Sequence, residues 1–442
     1  MADRASSDSP AVQAQLDRLA ALAPGTDTLG LERIAALLDR LGNPERALPP
    51  VLHVAGTNGK GSTCAFLRAA IEAAGLKAHV YTSPHLVRFN ERIRLAGTLI
   101  EDERLAALLD EVLGAARGMA LSFFEATTAA AFLAFARAPA DACVLEVGLG
   151  GRLDATNVIP APAVCGIAQL GLDHQSFLGH RIEQVAAEKA GIAKPGVPLV
   201  THHYPPAIAD RIGEAAAKAG AHWLPRGGRW DATVAGGRLH YRDDAGGLAL
   251  PLPRLRGAHQ AMNAALAVAM LRHQQAVRVA ESALKAAMGW ADWPARLQRL
   301  AAGPLHVMLP KDAELWLDGG HNPAAARAVA DYFRTSAPAD RPLHVVFGLL
   351  ANKDVGGVLK PFQGRSVTFH PIPVEGHEHH APADLARAAK ETGLSAVAAS
   401  GVEDALGWIA RHADRARPPV VLVFGSLYLA GEVLRKNGQM PS

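Results

Sequence analysis

Cysteine is almost missing from this chain, with only Cys64, Cys143 and Cys165 among 442 residues. An odd count without a CxxC spacing argues against a disulfide framework. Apolar neighbours, as in Ala142-Cys143-Val144-Leu145, predict buried thiols in a reducing compartment. A charge surplus is missing too. Lys plus Arg number 45 against 42 Asp plus Glu, a net +3, which is too weak a field for a nucleic-acid partner. Long hydrophobic runs are also lacking. The charge-free stretch 155–172 is broken by Asn157, Pro160, Pro162 and Gln169, and nothing reaches the roughly 18 apolar residues of a membrane span. The opening MADRASSDSP is polar and contains acids, unlike a signal peptide. These absences predict a soluble cytoplasmic protein with no membrane and no nucleic-acid partner, still suited to small anionic substrates.

What is present is a globular composition, 49% hydrophobic and 20% charged, long enough for two or three domains. Short Val/Leu-rich runs alternate with Ala-rich helical stretches, the pattern of βα units and a mainly parallel sheet. Residues 51–55, 79–81, 143–147 and 164–168 read as strands, and 62–74 as a helix ended by Gly75. Residues 227–247, with their Gly pairs, read as a small β excursion, and 258–288 as a helical stretch. The alternation restarts after Trp290-Ala291-Asp292-Trp293-Pro294, with strands at 315–318, 343–347 and 420–424. The predicted fold is α/β. A P-loop-type, mainly parallel sheet with a β excursion fills 1–296, and a smaller Rossmann-like α/β domain fills 297–442.

The sharpest local feature is Gly56-Thr57-Asn58-Gly59-Lys60-Gly61-Ser62-Thr63, between a strand and a helix. A strict GxxxxGK[ST] pattern fails, because Gly61 separates Lys60 from the hydroxyl residue. The physical parts remain. Glycines let backbone N–H groups approach phosphate, Lys60 neutralises its charge, and Ser62 or Thr63 reaches a bound Mg²⁺. The bland alternative is a Gly-rich turn before a helix. Three more loops leave strands at the same predicted sheet edge: Tyr81-Thr82-Ser83-Pro84-His85, the stretch from Glu146 to Asp154, and Leu172-Asp173-His174. Taken singly, Glu146 reads as a strand-end carboxylate and His174 as a surface histidine. Their shared placement is what makes a Mg²⁺ set. The tract Glu375-Gly376-His377-Glu378-His379-His380 offers imidazoles for a transition metal, but lacks a fixed element and reads as a solvated loop. His202-His203 is read the same way.

HVAGTNGKGS, YTSPHLVRFNERIR, LEVGLGGRLDATN, LDHQSFLG, EKAGI, DGGHNP and VFGS follow in this order. Together, over residues 29–425, they resemble the folylpolyglutamate synthase/dihydrofolate synthase family of the Mur ligase superfamily. The family's phosphate loop carries the extra glycine. The resemblance implies an ATP-dependent ligase that joins L-glutamate to a folate carboxylate through an acyl phosphate, with ATP as co-substrate and two Mg²⁺ ions. It assigns Asn58, Gly59, Lys60, Gly61, Ser62 and Thr63 to the phosphates, and Asn263, Arg296 and Asp318 to ATP. Ser62, Ser83, Glu146 and His174 fall on metal positions. Lys189 falls on the lysine carried as a carbamate, which would turn a cation into an oxygen ligand. His321 and Ser426 fall at the glutamate site, and Lys60, Lys189 and His321 form the catalytic set. Contacts from both domains imply that ATP binds between them.

The family divides over the pterin. Some members also glutamylate dihydropteroate, using a T-x-F-E stretch and the Asp-Ala of LDATN. Here these are Ser122-Phe123-Phe124-Glu125, with Ser122 replacing Thr, and Asp154-Ala155. Phe124 would stack on a pterin and Asp154 would accept its N–H groups; the alternative makes Phe124 a core aromatic. The family implies a monomer. A Mur-type peptidoglycan ligase is the second enzyme reading, disfavoured by the short stretch before the phosphate loop. A nucleotide-sensing module without ligation is the reading from another class.

Overall fold

Val51–Ala55 (β1) is buried at all five positions, as expected of a parallel strand covered on both faces. The computed structural model describes residues 5, 7–22, 29–336, 341–364, 366–414 and 416–441. Residues 1–4 and 6, half of the opening stretch that argues against a signal peptide, lie outside the described residues. The chain divides into two units. One takes the described residues up to Arg254 together with Gln260–Asp292. The other takes Leu255–His259 and Trp293–Pro441.

In the first unit β1 is followed by Ala78–Tyr81 (β2), Ile93–Leu95 (β3), Thr98–Leu99 (β4), Ala142–Glu146 (β5), Val164–Ile167 (β6), Pro198–Thr201 (β7) and His222–Pro225 (β8). They form one sheet in the order β4-β3-β2-β5-β1-β6-β7-β8. Only the pairings of β3 are antiparallel. The loops after β1, β2, β5 and β6 therefore leave the same edge, with β1 between β5 and β6. The helix Phe123–Ala136 has no polar face, and Phe132 and Phe135 are at most 1% exposed within the core under this sheet. Burying each such ring contributes about 1.5–3 kcal/mol.

The β excursion is real and longer than predicted. Trp230–Ala235 (β9), Arg238–Asp243 (β10) and Gly246–Pro251 (β11) form an antiparallel sheet. It is fastened by Arg272, which donates to both Asp243 oxygens at 2.6 and 2.7 Å. The continuous helical reading of 258–288 is corrected. The chain forms two helices, Ala258–Arg272 and Glu281–Trp290. Between them the Gln274 amide donates to Leu271 O and Val277 O and accepts from Val277 N–H. A side chain that replaces backbone partners ends the helix without Gly or Pro.

The second unit holds Gln298–Arg299 (β12), Glu314–Asp318 (β13), Leu343–Phe347 (β14), Val367–Pro371 (β15), Ser395–Ala396 (β16) and Val420–Phe424 (β17). Their order is β12-β13-β17-β14-β15-β16, with only β12 antiparallel. Phe347, Phe369, Phe362 and Phe424 pack edge to face or stacked on this sheet. All three cysteines are buried free thiols, and burial raises the pKa of each, to about 12 for Cys165. Among the described residues no helix is long and apolar enough to cross a membrane.

Candidate active site

β1 empties into the glycine-rich loop. The Thr57 and Asn58 N–H groups donate to Gln169 O at 2.9 and 3.0 Å, and the Thr57 hydroxyl donates to Gly171 O at 2.9 Å. The loop is thus pinned to the segment leaving β6. Gly59 then turns the chain at φ 84 into the helix Lys60–Ala73, whose start has no side-chain cap. Uncapped N–H groups at a helix start attract anions. A Cβ at Gly59 would run into the Asn263 amide oxygen, so the structure brings Asn263 against this loop. Ser62 and Thr63 are buried in the first turn, and the Thr63 hydroxyl has no hydrogen-bond partner among the described residues.

Charges converge beside the loop. Lys60 Nζ lies 3.8 Å from Oε1 of buried Glu146, the last residue of β5. That distance is too long for a hydrogen bond, so the pair is held by charge alone. Ser83 N–H donates to the other Glu146 oxygen at 3.3 Å. Lys189, 5% exposed, lies in the last turn of the helix Ile182–Ala190. Burial lowers its pKa to about 7, the Lys60 charge adds to this, and Asp173 and Asp154 oppose it. A low-lying lysine pKa keeps a sizeable neutral amine near pH 7. His174 sits apart in character: it is exposed, at φ 50, before the short helix Gln175–Leu178. Among the described residues no group of three or more His, Cys, Asp or Glu is close enough to hold a metal. The buried Glu146 carboxylate and the hydroxyls of Ser62 and Ser83 are hard oxygen donors, which fits Mg²⁺ rather than a softer ion.

The loop after β5 is folded onto that lysine helix. A Cβ at Gly151 would lie 2.7 Å from Glu188 O and 2.9 Å from Lys189 O, so only glycine permits the approach. Asn157 donates to Arg152 O at 3.0 Å and to Gly191 O at 3.1 Å, joining GGRLDATN to EKAGI. Asp154 is buried and accepts from Leu149 N–H, Thr156 N–H and the Thr156 hydroxyl. Burial raises its pKa, opposed by those bonds and the Lys189 charge. Ala155 is buried beside it. Phe124 is half-buried, its ring against Gly148, where a Cβ would collide with it, and 5.9 Å from the Tyr81 ring. Ser122 and Glu125 form a capping box, and Glu125 accepts from Arg33 at 3.1 Å through both oxygens.

In the second unit, Asp318 ends β13 and accepts from Leu297 N–H and Gly320 N–H, both at 2.8 Å. Those bonds frame Arg296, whose neighbours Ala295 and Leu297 stand at φ 56 and φ 45. Left-handed non-glycines on both sides of one residue are strained backbone held by their surroundings. His321 Nδ1 lies 3.2 Å from Gly319 O. Ser426, buried after β17, accepts from Tyr428 N–H at 3.2 Å and caps the helix Leu427–Lys436.

Sequence reasoning named His174 and passed over its neighbour Asp173, whose charge acts on Lys189; a carboxylate in a strand-end loop was the signal. It also missed His53, Thr156 and Asn157, which no residue-type pattern separates from core and loop polarity. The His-rich tract is an ordered loop. His377 stacks on Tyr428 at 3.7 Å, His379 Nδ1 lies 2.7 Å from His377 O, and His380 Nε2 lies 3.1 Å from Lys353 O. Those two nitrogens face carbonyls and must carry protons, so they are not metal-ligating atoms.

A family model described as the Mur ligase, glutamate ligase domain matches residues 305–427. The dihydrofolate synthase/folylpolyglutamate synthase of Escherichia coli is 34% identical over 92% of this chain and 91% of its own. Among solved structures, E. coli FolC in complex with DHPP and ADP superposes with TM-score 0.85 at 32% identity, covering 97% of each chain. A bifunctional folylpolyglutamate synthase/dihydrofolate synthase with Mn, AMPPNP and L-glutamate bound gives 0.84 at 31%, covering 98% and 99%. Relatives carrying folate-ligase names span almost the whole chain, which favours that reading over a peptidoglycan ligase.

Proposed function

This chain belongs to the dihydrofolate synthase/folylpolyglutamate synthase family, and on that premise we propose that it uses ATP to join L-glutamate to folates and to dihydropteroate. It acts as a monomer in the cytoplasm. The observation that carries the reading is the meeting of Lys60, Glu146 and buried Lys189 beside an uncapped, glycine-started helix.

In the reaction a substrate carboxylate oxygen attacks the γ-phosphorus and ADP leaves. The glutamate nitrogen then attacks the acyl carbon of the acyl phosphate, loses a proton, and phosphate departs. Such chemistry is mostly positioning and charge stabilisation. Lys60 and the N–H groups of Asn58, Gly59 and Gly61 hold the phosphates, and Thr63 lines that turn. Asn263, Arg296 and Asp318 hold the rest of the nucleotide. His321 and Ser426 receive L-glutamate. Phe124 stacks on the pterin, while Asp154, backed by Ala155, accepts its N–H groups. Ser62, Ser83, Glu146 and His174 would hold Mg²⁺, with Lys189 as a carbamate at the second ion. A metal held by these residues would supply positive charge against the γ-phosphate as the carboxylate approaches. Carbamate formation joins the neutral Lys189 amine to CO₂ and releases one proton. An unmodified ammonium there would repel the metal.

The test is phosphate release from ATP with dihydropteroate, tetrahydrofolate or a UDP-muramoyl substrate, each with and without L-glutamate. Release is expected only when a folate or dihydropteroate and L-glutamate are both present. Release without glutamate, or only with the UDP-muramoyl compound, overturns the proposal. Extension of tetrahydrofolate without ligation to dihydropteroate removes the dihydropteroate half.

A further inference from the structure

His53 lies at the centre of β1 with no exposed surface. Its Nε2 is 2.8 Å from the Thr156 hydroxyl, and that hydroxyl is 2.5 Å from Asp154 Oδ1. A threonine hydroxyl has one proton to give, and an ionised carboxylate only accepts. Thr156 therefore donates to Asp154 and accepts from His53. This fixes the imidazole as its Nε2–H tautomer and leaves Nδ1, which has no hydrogen-bond partner among the described residues, as the bare nitrogen. Burial, helped by the Lys194 charge, holds the ring's pKa down at about 3. His53 is thus a neutral donor at any working pH, and packing alone does not account for it, since its buried second nitrogen carries a desolvation cost that an apolar residue would avoid.

The chain of donors has a direction. Asp154 Oδ1 accepts from the Thr156 hydroxyl and from Thr156 N–H at 3.0 Å, whereas among the described residues Oδ2 accepts from Leu149 N–H alone, at 2.8 Å. With about two acceptor positions on each oxygen, Oδ1 is filled and Oδ2 keeps the open one. We propose that His53, acting through Thr156, is a positioning residue that fixes the Asp154 carboxylate so that Oδ2 faces the pterin N–H. The inference rests on the assignment of Asp154 to the pterin made above. Without the Thr156 hydroxyl, Oδ1 also has an open position, and the carboxylate is held by the Thr156 and Leu149 N–H groups alone, which weakens its preferred rotation.

A role confined to fastening the loop to β1 would lower stability, or reduce turnover of every substrate together. Positioning moves one constant selectively. Thr156→Val is expected to raise KM for dihydropteroate about tenfold, with KM for ATP and L-glutamate within about twofold of wild type. Thr156→Ser restores it. His53→Phe, which keeps the ring shape without a donor, raises the same KM about threefold, and His53→Gln, which keeps a donor, recovers it. In the Thr156→Val background, His53→Phe adds nothing further, because the two act in series. Unchanged dihydropteroate KM in Thr156→Val, a uniform loss across substrates, or additive effects of the two variants overturns the proposal. Asp154→Ala separates the two layers. If it leaves dihydropteroate KM unchanged, the pterin assignment falls and the inference with it. If it raises KM while Thr156→Val and His53→Phe do not, only the positioning role falls. Should the valine and phenylalanine variants fail to fold, ring ¹⁵N shifts of His53 in the wild-type protein still decide. A neutral Nε2–H tautomer from about pH 5 to 9 is expected, and an Nδ1–H or protonated ring in that range overturns the chain.

Discussion

Each unit carries its candidate site residues at the edge where its own parallel strands end, yet the two edges are built in different ways. In the first unit the edge gathers buried charge. Lys60 and Glu146 meet at 3.8 Å without a hydrogen bond, and the cation of Lys60 adds to the burial that lowers the pKa of Lys189. In the second unit the polar groups at the edge bind their own backbone. Asp318 holds Leu297 and Gly320, Asn322 accepts from Ala325 N–H at 2.9 Å, and Ser426 holds Tyr428. An edge where charges gather is stabilised by an incoming anion or metal, whereas an edge whose groups bind their own backbone also keeps a loop in shape. Substitutions in the first edge should therefore appear chiefly in turnover, and substitutions in the second in stability and substrate KM together.

The largest effect expected is at Lys60. Lys60→Ala removes the cation of the phosphate loop, and kcat for folate-dependent phosphate release should fall about 10²–10³-fold with the melting temperature unchanged. Activity within tenfold of wild type would move the phosphate site away from this edge. Lys189→Ala comes next, with a loss of about 10–100-fold. It should also abolish a carbamate signal in the ¹³C spectrum of wild-type enzyme supplied with ¹³C-bicarbonate and Mg²⁺. A wild-type spectrum without that signal removes the carbamate from the proposal, whatever the variant's activity.

Asp318→Asn sharpens the contrast from the other side. An amide has one oxygen, so either Leu297 N–H or Gly320 N–H must face an NH₂ group. The cost is about 1–3 kcal/mol, read as a lowered urea midpoint. Because one of these bonds also holds Leu297 in left-handed backbone next to Arg296, KM for ATP should rise while kcat changes little. A variant as stable as wild type but as slow as Lys60→Ala would erase the difference between the edges.

The sequence showed much of this framework, because short buried parallel strands and glycine-rich turns leave local marks. Residues 51–55, 343–347 and 420–424 were read as strands and are strands with those bounds. Gly59 was legible as a phosphate-loop glycine, but its second constraint, the Asn263 amide oxygen 204 positions along the chain, was not. The helix break after Arg272 was hidden because Gln274, an ordinary helix former, closes it through its side chain. The phosphate loop and the strand-end metal set come from residue types and their shared placement, whereas Lys189, Asn263, Arg296 and Asp318 come from motif resemblance alone. What stayed illegible was their support, such as Thr156 under Asp154 or Asn157 between two loops, since a hydroxyl or amide in a loop has no pattern until its partners are in place.

The smallest effect tests whether the second unit, for all its satisfied edge, hides a titrating element elsewhere. His344 on β14 and His370 on β15 face each other, Nδ1 to Nε2 at 3.0 Å, against Trp408. Burial lowers both pKa values from 6.5 to about 4, and for His370 the His344 charge adds to this. Between those values the unfolded chain takes up protons that the folded unit refuses. The stability this pair permits is complete above pH 6.5 and declines as pH falls toward 4. Many carboxylates titrate near the lower end, so the pair must be isolated by difference. Replacing both, His344→Leu with His370→Leu, should flatten the fall of the urea midpoint between about pH 6.5 and 5, and leave ligation at higher pH unaltered. An equally steep fall in the double variant would place the acid sensitivity elsewhere. A loss of turnover would mean that the second unit's interior, and not only its strand-end loops, reaches the chemistry.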